Sequence, residues 1–252
     1  VALEKSLQSI IENHLETLLG VRFLASEYST GKVHGGRMDT LGIDENGCPV
    51  IIEYKRSTNE NVINQGLFYL DWLMDHRKSF EWLVLEKLGK KDADNVEWSA
   101  PRLLCIAGDF TKYDEHAVKQ MNHNIELIRY RRYGEELLLF ELINATSVGP
   151  VTNAALHGTP SVGKYKTIGE VLSETDQQLR DRFESIKDFM LALGDDVQMK
   201  ELRYYFAFKR IKNFACVELR PQKGIVLVYV KVNPDEVDLV STGNLLRDVR
   251  AV

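Results

Sequence analysis

The chain has 252 residues, 44% of them hydrophobic and 27% charged. That balance excludes disorder, collagen and coiled coil as the main state, and the length allows one or two domains with real cores. Lys and Arg number 32 against 37 Asp and Glu, a net charge of −5 at pH 7, which excludes a uniformly basic nucleic-acid binder but not a local basic surface.

No apolar run approaches the ~18 residues of a membrane span, and no secretory signal pattern opens the chain. Residue 1 is valine rather than methionine, so the native start need not be residue 1. Cys48, Cys105 and Cys216 are far apart and form no CxxC pair. Neither a disulfide framework nor a zinc site is expected, and a reducing cytoplasm is the expected location.

Leu3, Leu7, Ile10, Ile11, Leu15, Leu18 and Leu19 recur at helical spacing and predict an amphipathic helix stopped by Gly20. Val21 to Tyr28 and Arg37 to Ile43 read as strands. Asp44-Glu45-Asn46-Gly47 is a hairpin turn signal. Cys48 to Arg56 is a third strand, whose apolar centre Val50-Ile51-Ile52 predicts burial on both faces. Helices are expected over Asn61 to Asp75 and Ser79 to Leu88, then a polar connection. A strand follows at Arg102 to Ala107, a short helix at Lys112 to Met121, and a hairpin of Ile125 to Tyr133 with Glu136 to Ile143.

Asn144 to Lys166 lacks periodicity and holds Gly149-Pro150, Gly158, Thr159-Pro160 and Gly163, as a linker would. Beyond it the pattern predicts one long helix, Val171 to Leu193, and strands at Gln198 to Phe208, Phe214 to Leu219 and Ile225 to Val232. The expected organisation is an α/β domain over 1–144, a linker over 145–163, and a smaller α+β domain over 164–252.

The chemistry concentrates in Asp39 and Glu53-Tyr54-Lys55. Strand side chains alternate, so Glu53 and Lys55 share a face. The Asn-Gly turn folds this strand back on the one carrying Asp39, bringing two carboxylates together. Such a pair suits Mg²⁺ or Mn²⁺, and the adjacent lysine can orient water or offset phosphate charge. Gln65 and Tyr69 share a helix face. Glu4 could add a carboxylate from the first helix, with Glu12 as the alternative donor.

Glu4-Lys5-Ser6-Leu7, Arg37-Met38-Asp39, Val50-Ile51-Ile52-Glu53-Tyr54-Lys55-Arg56 and Gln65-Gly66-Leu67-Phe68-Tyr69 together resemble the PD-(D/E)XK nuclease superfamily, and within it the catalytic domain of NucS-type DNA endonucleases. The resemblance covers about residues 1–90, and departs from the motif in having Met38 where its name has proline. It implies a restriction-endonuclease-like mixed central sheet flanked by helices, and divalent-metal-dependent cleavage of branched, single-stranded or mismatched DNA. Asp39 and Glu53 would hold the metal, with Lys55, Gln65, Tyr69 and Glu4 completing the catalytic set. Nucleases of this class often work as dimers, so a homodimer is among the expectations.

Residues 164–252 resemble a small uncharacterised domain that ends such bacterial chains, on Lys209-Arg210-x-Lys212-Asn213-Phe214. There the chain usually runs on past Arg247-Asp248-Val249, so the end at Val252 reads as early. The candidate nucleic-acid contacts are Arg37, Arg56, Arg131, Arg132, Lys209, Arg210 and Lys212. The basic segment Arg203 to Lys212 suits single-stranded nucleic acid. The favoured reading of that segment is a strand pair with core aromatics and solvated charges. His34 reads as a polar loop histidine. Gly31 to Gly36 lacks the Gly-Lys-Ser/Thr ending of a P-loop. The alternative to the nuclease is a non-catalytic nucleic-acid-binding or protein-docking module on a nuclease-like fold.

Overall fold

A computed structural model describes residues 2–31, 35–55, 62–134, 136–146, 166–237 and 247–249, with only the backbone described for 2–4 and 234. His34, Arg56, the side chain of Glu4 and most of the expected linker lie outside the described residues.

Six strands lie side by side in chain order: β1 (Val21–Ser29), β2 (Arg37–Asp44), β3 (Pro49–Lys55), β4 (Arg102–Ala107), β5 (Asn124–Tyr133) and β6 (Leu137–Ala145). The β3–β4 and β4–β5 pairs are parallel and the others antiparallel, so the sheet is mixed. Parallel neighbours need crossovers. These are α3 (Val62–Asp75), α4 (Arg77–Leu88) and α5 (Lys90–Ala93) between β3 and β4, and α6 (Lys112–Gln120) between β4 and β5. Residues of α3, α4 and α6 cover one face, packing on Ile51, Leu103, Cys105 and Leu127. The other face is covered by α1 (Ala2–Asn13) and α2 (Leu15–Leu19), through Leu7, Ile11, Leu15 and Leu19 on Val50, Ile52, Tyr54 and Leu104. Central β3 is thus apolar toward both layers, as its run Val50-Ile51-Ile52 predicts. Gly66 lets α3 lie close on β4, because a Cβ there would run into the Leu103 side chain.

The first helix is not continuous. His14 leaves helical geometry (φ −126°) and divides α1 from α2, which ends on left-handed Gly20. The long helix expected over Val171 to Leu193 is likewise two, α7 (Ile168–Glu174) and α8 (Gln177–Leu191). Thr175 and Asp176 are extended, and the Asp176 carboxylate caps α8 by accepting from the Leu179 amide at 2.9 Å. The strand expected over Gln198 to Phe208 is a hairpin, β7 (Gln198–Glu201) and β8 (Phe206–Lys209), turning over Leu202 to Tyr205. With β9 (Asn213–Arg220) and β10 (Ile225–Val230) these form a second, antiparallel sheet in the order β10-β9-β8-β7. Phe183 and Met190 of α8 pack on its Phe206, Phe208 and Val217. The protein is therefore a mixed α+β chain with a six-stranded sheet flanked by helices and a smaller four-stranded sheet. Among the described residues no helix is long and apolar enough to cross a membrane, and Cys48, Cys105 and Cys216 are free thiols.

Candidate active site

The β2–β3 ladder runs inward from the turn and stops at Thr40↔Ile52, one step before Asp39 would face Glu53. Strand β3 continues beside β4 through Lys55↔Ala107. A fork therefore opens between β2 and β3, and carboxylates replace the missing ladder. The Asp39 amide donates to Glu53 Oε1 at 3.2 Å, and the Tyr54 amide donates to Asp39 Oδ2 at 3.0 Å.

Glu53 is fully buried, and its Oε2 has no hydrogen-bond partner among the described residues. Burial raises its pKa to about 9, with the Asp39 charge adding to the rise; the Asp39 amide and the Lys55 ammonium oppose it. A half-satisfied buried acid beside a second carboxylate is costly unless protonated or met by a cation. The donors therefore fit a hard divalent ion. Lys55 lies two residues beyond Glu53, on the same face of β3. Among the described residues no group of three or more His, Cys, Asp or Glu could hold a metal; the carboxylate of Glu4 is outside that set.

Gln65 and Tyr69 do meet on α3. The Gln65 amide donates to the Tyr69 hydroxyl at 3.2 Å, and the Arg37 amide donates to the same hydroxyl at 3.1 Å. Tyr69 thus ties α3 to the start of β2, two residues before Asp39. A Cβ on Gly36 would come within 2.5 Å of the Tyr69 ring, so this approach requires glycine. Arg37 is exposed at the fork and pairs with Glu27 at 2.7 Å. Glu27 has φ 53°, a left-handed conformation that is unfavourable for a non-glycine residue.

A polar cluster on the opposite face of the sheet holds the fork from behind. Gln8 Nε2 donates to the Asp39 carbonyl at 2.8 Å, and is also placed to donate to Ser26 Oγ and Glu12 Oε1. Glu12 Oε1 accepts from Thr40 Oγ1 at 2.6 Å, and Thr40 Oγ1 lies 3.2 Å from the Tyr54 hydroxyl. Glu12 is thereby a support of the fork. Gln8 was not legible in the sequence, where it is one polar residue on an amphipathic helix.

Residues 168–250 match a family described as a domain of unknown function, DUF5655. Over 245 residues, 94% of this chain and 79% of the relative, the chain is 28% identical to an "Uncharacterized protein" of Haemophilus influenzae. Among solved structures it is similar to a repair endonuclease from Pyrococcus abyssi, at 19% identity, TM-score 0.32, over 51% of this chain and 47% of that one. It is also similar to EndoMS in complex with dsDNA, at 20% identity, TM-score 0.29, over 52% of this chain and 46% of that one. The chain spans just under half the length of both.

The expected nucleic-acid contacts divide. Lys209 is corrected: it is buried at the seam between the two sheets, where its ammonium donates to Glu126 at 2.8 Å. Lys212 also serves the seam, donating to the Thr17 carbonyl at 2.6 Å. Arg210 turns inward on its own unit, to Asp196 at 3.2 Å and the Leu193 carbonyl at 3.0 Å. Arg131 and Arg132 are consecutive on β5 and so face opposite sides of the sheet. Arg132 lies over α1 beside Leu7 and Ile10, while Arg131 lies on the face carrying Glu53.

Proposed function

We propose that the chain is a divalent-metal-dependent endonuclease that hydrolyses DNA phosphodiester bonds. The observation that carries this reading is the Glu53 carboxyl group, fully buried with one oxygen unpartnered among the described residues, set against Asp39 where the β2–β3 ladder opens. The large majority of buried side-chain polar atoms are partnered, so an orphaned carboxylate oxygen beside a second acid calls for an explanation.

Asp39 and Glu53 hold Mg²⁺ or Mn²⁺ in this reading. Such an ion supplies Lewis acidity to a phosphodiester and acidifies water. The Glu53 carboxyl, whose pKa burial raises, would hold such an ion in its deprotonated form. Lys55 Nζ donates to the phosphate or orients the attacking water, on the strand face it shares with Glu53. Gln65 and Tyr69 keep the start of β2 against α3, so Asp39 holds its place. Glu4 is a further acid of the set. Branched, single-stranded or mismatched DNA is the substrate class. Residues 1–144 are the nuclease-like domain and 164–252 the accessory unit. A cytoplasmic location accords with the free thiols.

The test is incubation of the chain with single-stranded, branched and mismatched DNA, in Mn²⁺ or in EDTA, beside Glu53→Ala. Metal-dependent cleavage lost in the variant supports the nuclease. DNA binding without cleavage or Mn²⁺ uptake would move the reading to a non-catalytic binding module.

A further inference from the structure

The parallel register aligns Lys55 of β3, Ala107 of β4 and Arg129 of β5 in one row across the sheet. One row back lie Glu53, Cys105 and Leu127, and Cys105 and Leu127 belong to the core under α3 and α6. Alternation therefore brings Arg129, and Arg131 two residues on, out on the face and at the strand end that carry Glu53 and Lys55. Two strand spacings separate the backbones of Lys55 and Arg129, about 10 Å.

Arg129 is held from two sides. Its Nε donates to Glu141 Oε2 at 3.0 Å and its Nη1 to Asp109 Oδ1 at 3.1 Å. Those bonds orient the guanidinium and, among the described residues, leave Nη2 without a partner. Arg131 is half-exposed and meets Glu141 only at 3.6 Å, too long for a hydrogen bond. A planar fork oriented by two carboxylates and followed by a loosely held second arginine suits phosphate recognition.

From this placement we infer that Arg129 and Arg131 form a phosphate-binding pair for the DNA backbone, engaging phosphates that flank the one at Asp39 and Glu53. The inference rests on the nuclease reading for the identity of the strand it grips. Asp109 and Glu141 are positioning residues that hold the Arg129 guanidinium. Being carboxylates, they also weaken the local positive field, which makes the contact short-ranged rather than steering.

The experiment is fluorescence-anisotropy binding of a short DNA duplex to the full chain in EDTA, across a salt series. Arg129→Ala and Arg131→Ala are expected to weaken binding several-fold, irrespective of sequence. Each is expected to reduce the slope of log affinity against log salt by about 1. Lys187→Ala, in the second unit, is the control and should match wild type. Arg131→Lys should recover most of the slope, which a merely structural role would not require. Unchanged affinity and slope in both alanine variants would overturn the inference, as would a loss explained wholly by unfolding at the assay temperature. If wild type cleaves DNA but the arginine variants bind and cleave normally, only the inference fails. If wild type neither takes up Mn²⁺ nor cleaves, yet the slopes fall as expected, the nuclease reading fails and the phosphate pair stands.

Discussion

Two buried glutamates in one sheet have opposite fates. Glu53 lies at the end of β3, and Glu126 near the start of β5, on the other face of the sheet. Both are almost without solvent exposure. Glu126 receives Arg102 Nε and Nη2 at 2.7 and 2.9 Å and Lys209 Nζ at 2.8 Å, while Arg102 also reaches Asp44 at 3.0 Å. Burial pushes its pKa up, but those two cations overcome it and hold the acid well below the usual carboxylate range. Glu53 receives one backbone amide, and its pKa goes up to about 9. The difference is the supply of donors. Glu126 is a satisfied ion cluster that joins the two sheets, helped by Tyr205 and Asn213 on Asn46 and by Lys231 on Glu45. Among the described residues Glu53 Oε2 is left without a partner, the gap that the proposed cation would fill.

The largest expected effect is chemical. Asp39→Ala or Glu53→Gln should abolish Mn²⁺-dependent cleavage without unfolding the chain. Retained cleavage in a folded Glu53→Gln protein would break the contrast at its first member. Glu126→Gln should instead attack the fold, leaving Arg102 and Lys209 under-compensated in a buried setting. A loss of about 3–5 kcal/mol in denaturant titrations is expected. A loss below about 1 kcal/mol, as for surface pairs, would mean that solvent reaches the seam.

The same substitution should have the opposite sign at Glu53. Its folded pKa lies above the ordinary value of 4.5, so the native state binds a proton that the unfolded state has lost. Its contribution is complete below pH 4.5 and declines as pH rises toward 9. In EDTA, Glu53→Gln should therefore melt higher than wild type at pH 8, with the gap closing toward pH 4.5. Equal pH profiles in thermal melts would show that Glu53 is solvated. The smallest expected effect is at the back of the fork. Gln8→Ala removes the donor to the Asp39 carbonyl and should weaken Mn²⁺ binding about tenfold, as loss of a supporting shell does. Isothermal titration with Mn²⁺ would show it, and an unchanged affinity would mean the fork holds itself.

Much of this was legible in local chemistry. The alternation of β3 placed Glu53 and Lys55 on one face, and the Asp44–Gly47 turn returned the chain so that Asp39 came opposite Glu53. The four-residue spacing of Gln65 and Tyr69 put them on one helix face, where their side chains do meet. The misreadings have two causes. Apolar periodicity runs on across His14 and across Thr175-Asp176, so the helix breaks do not interrupt it; they are set by backbone geometry and by the Asp176 cap. Lys209 sits in a basic, aromatic stretch that reads as surface, yet its ammonium is drawn to an acid 83 residues away.

Sequence alone determined which residues share a face, because strand and helix periods are local. It could not determine which charges are satisfied, because a buried charge's partners come from distant segments. Only the packed chain decides that Glu126 meets Arg102 and Lys209 while Glu53 Oε2 meets no partner among the described residues, and that Arg129 stands in the row of Lys55. Parallel register is set between strands that the intervening helices separate in sequence, and no local signal carries it.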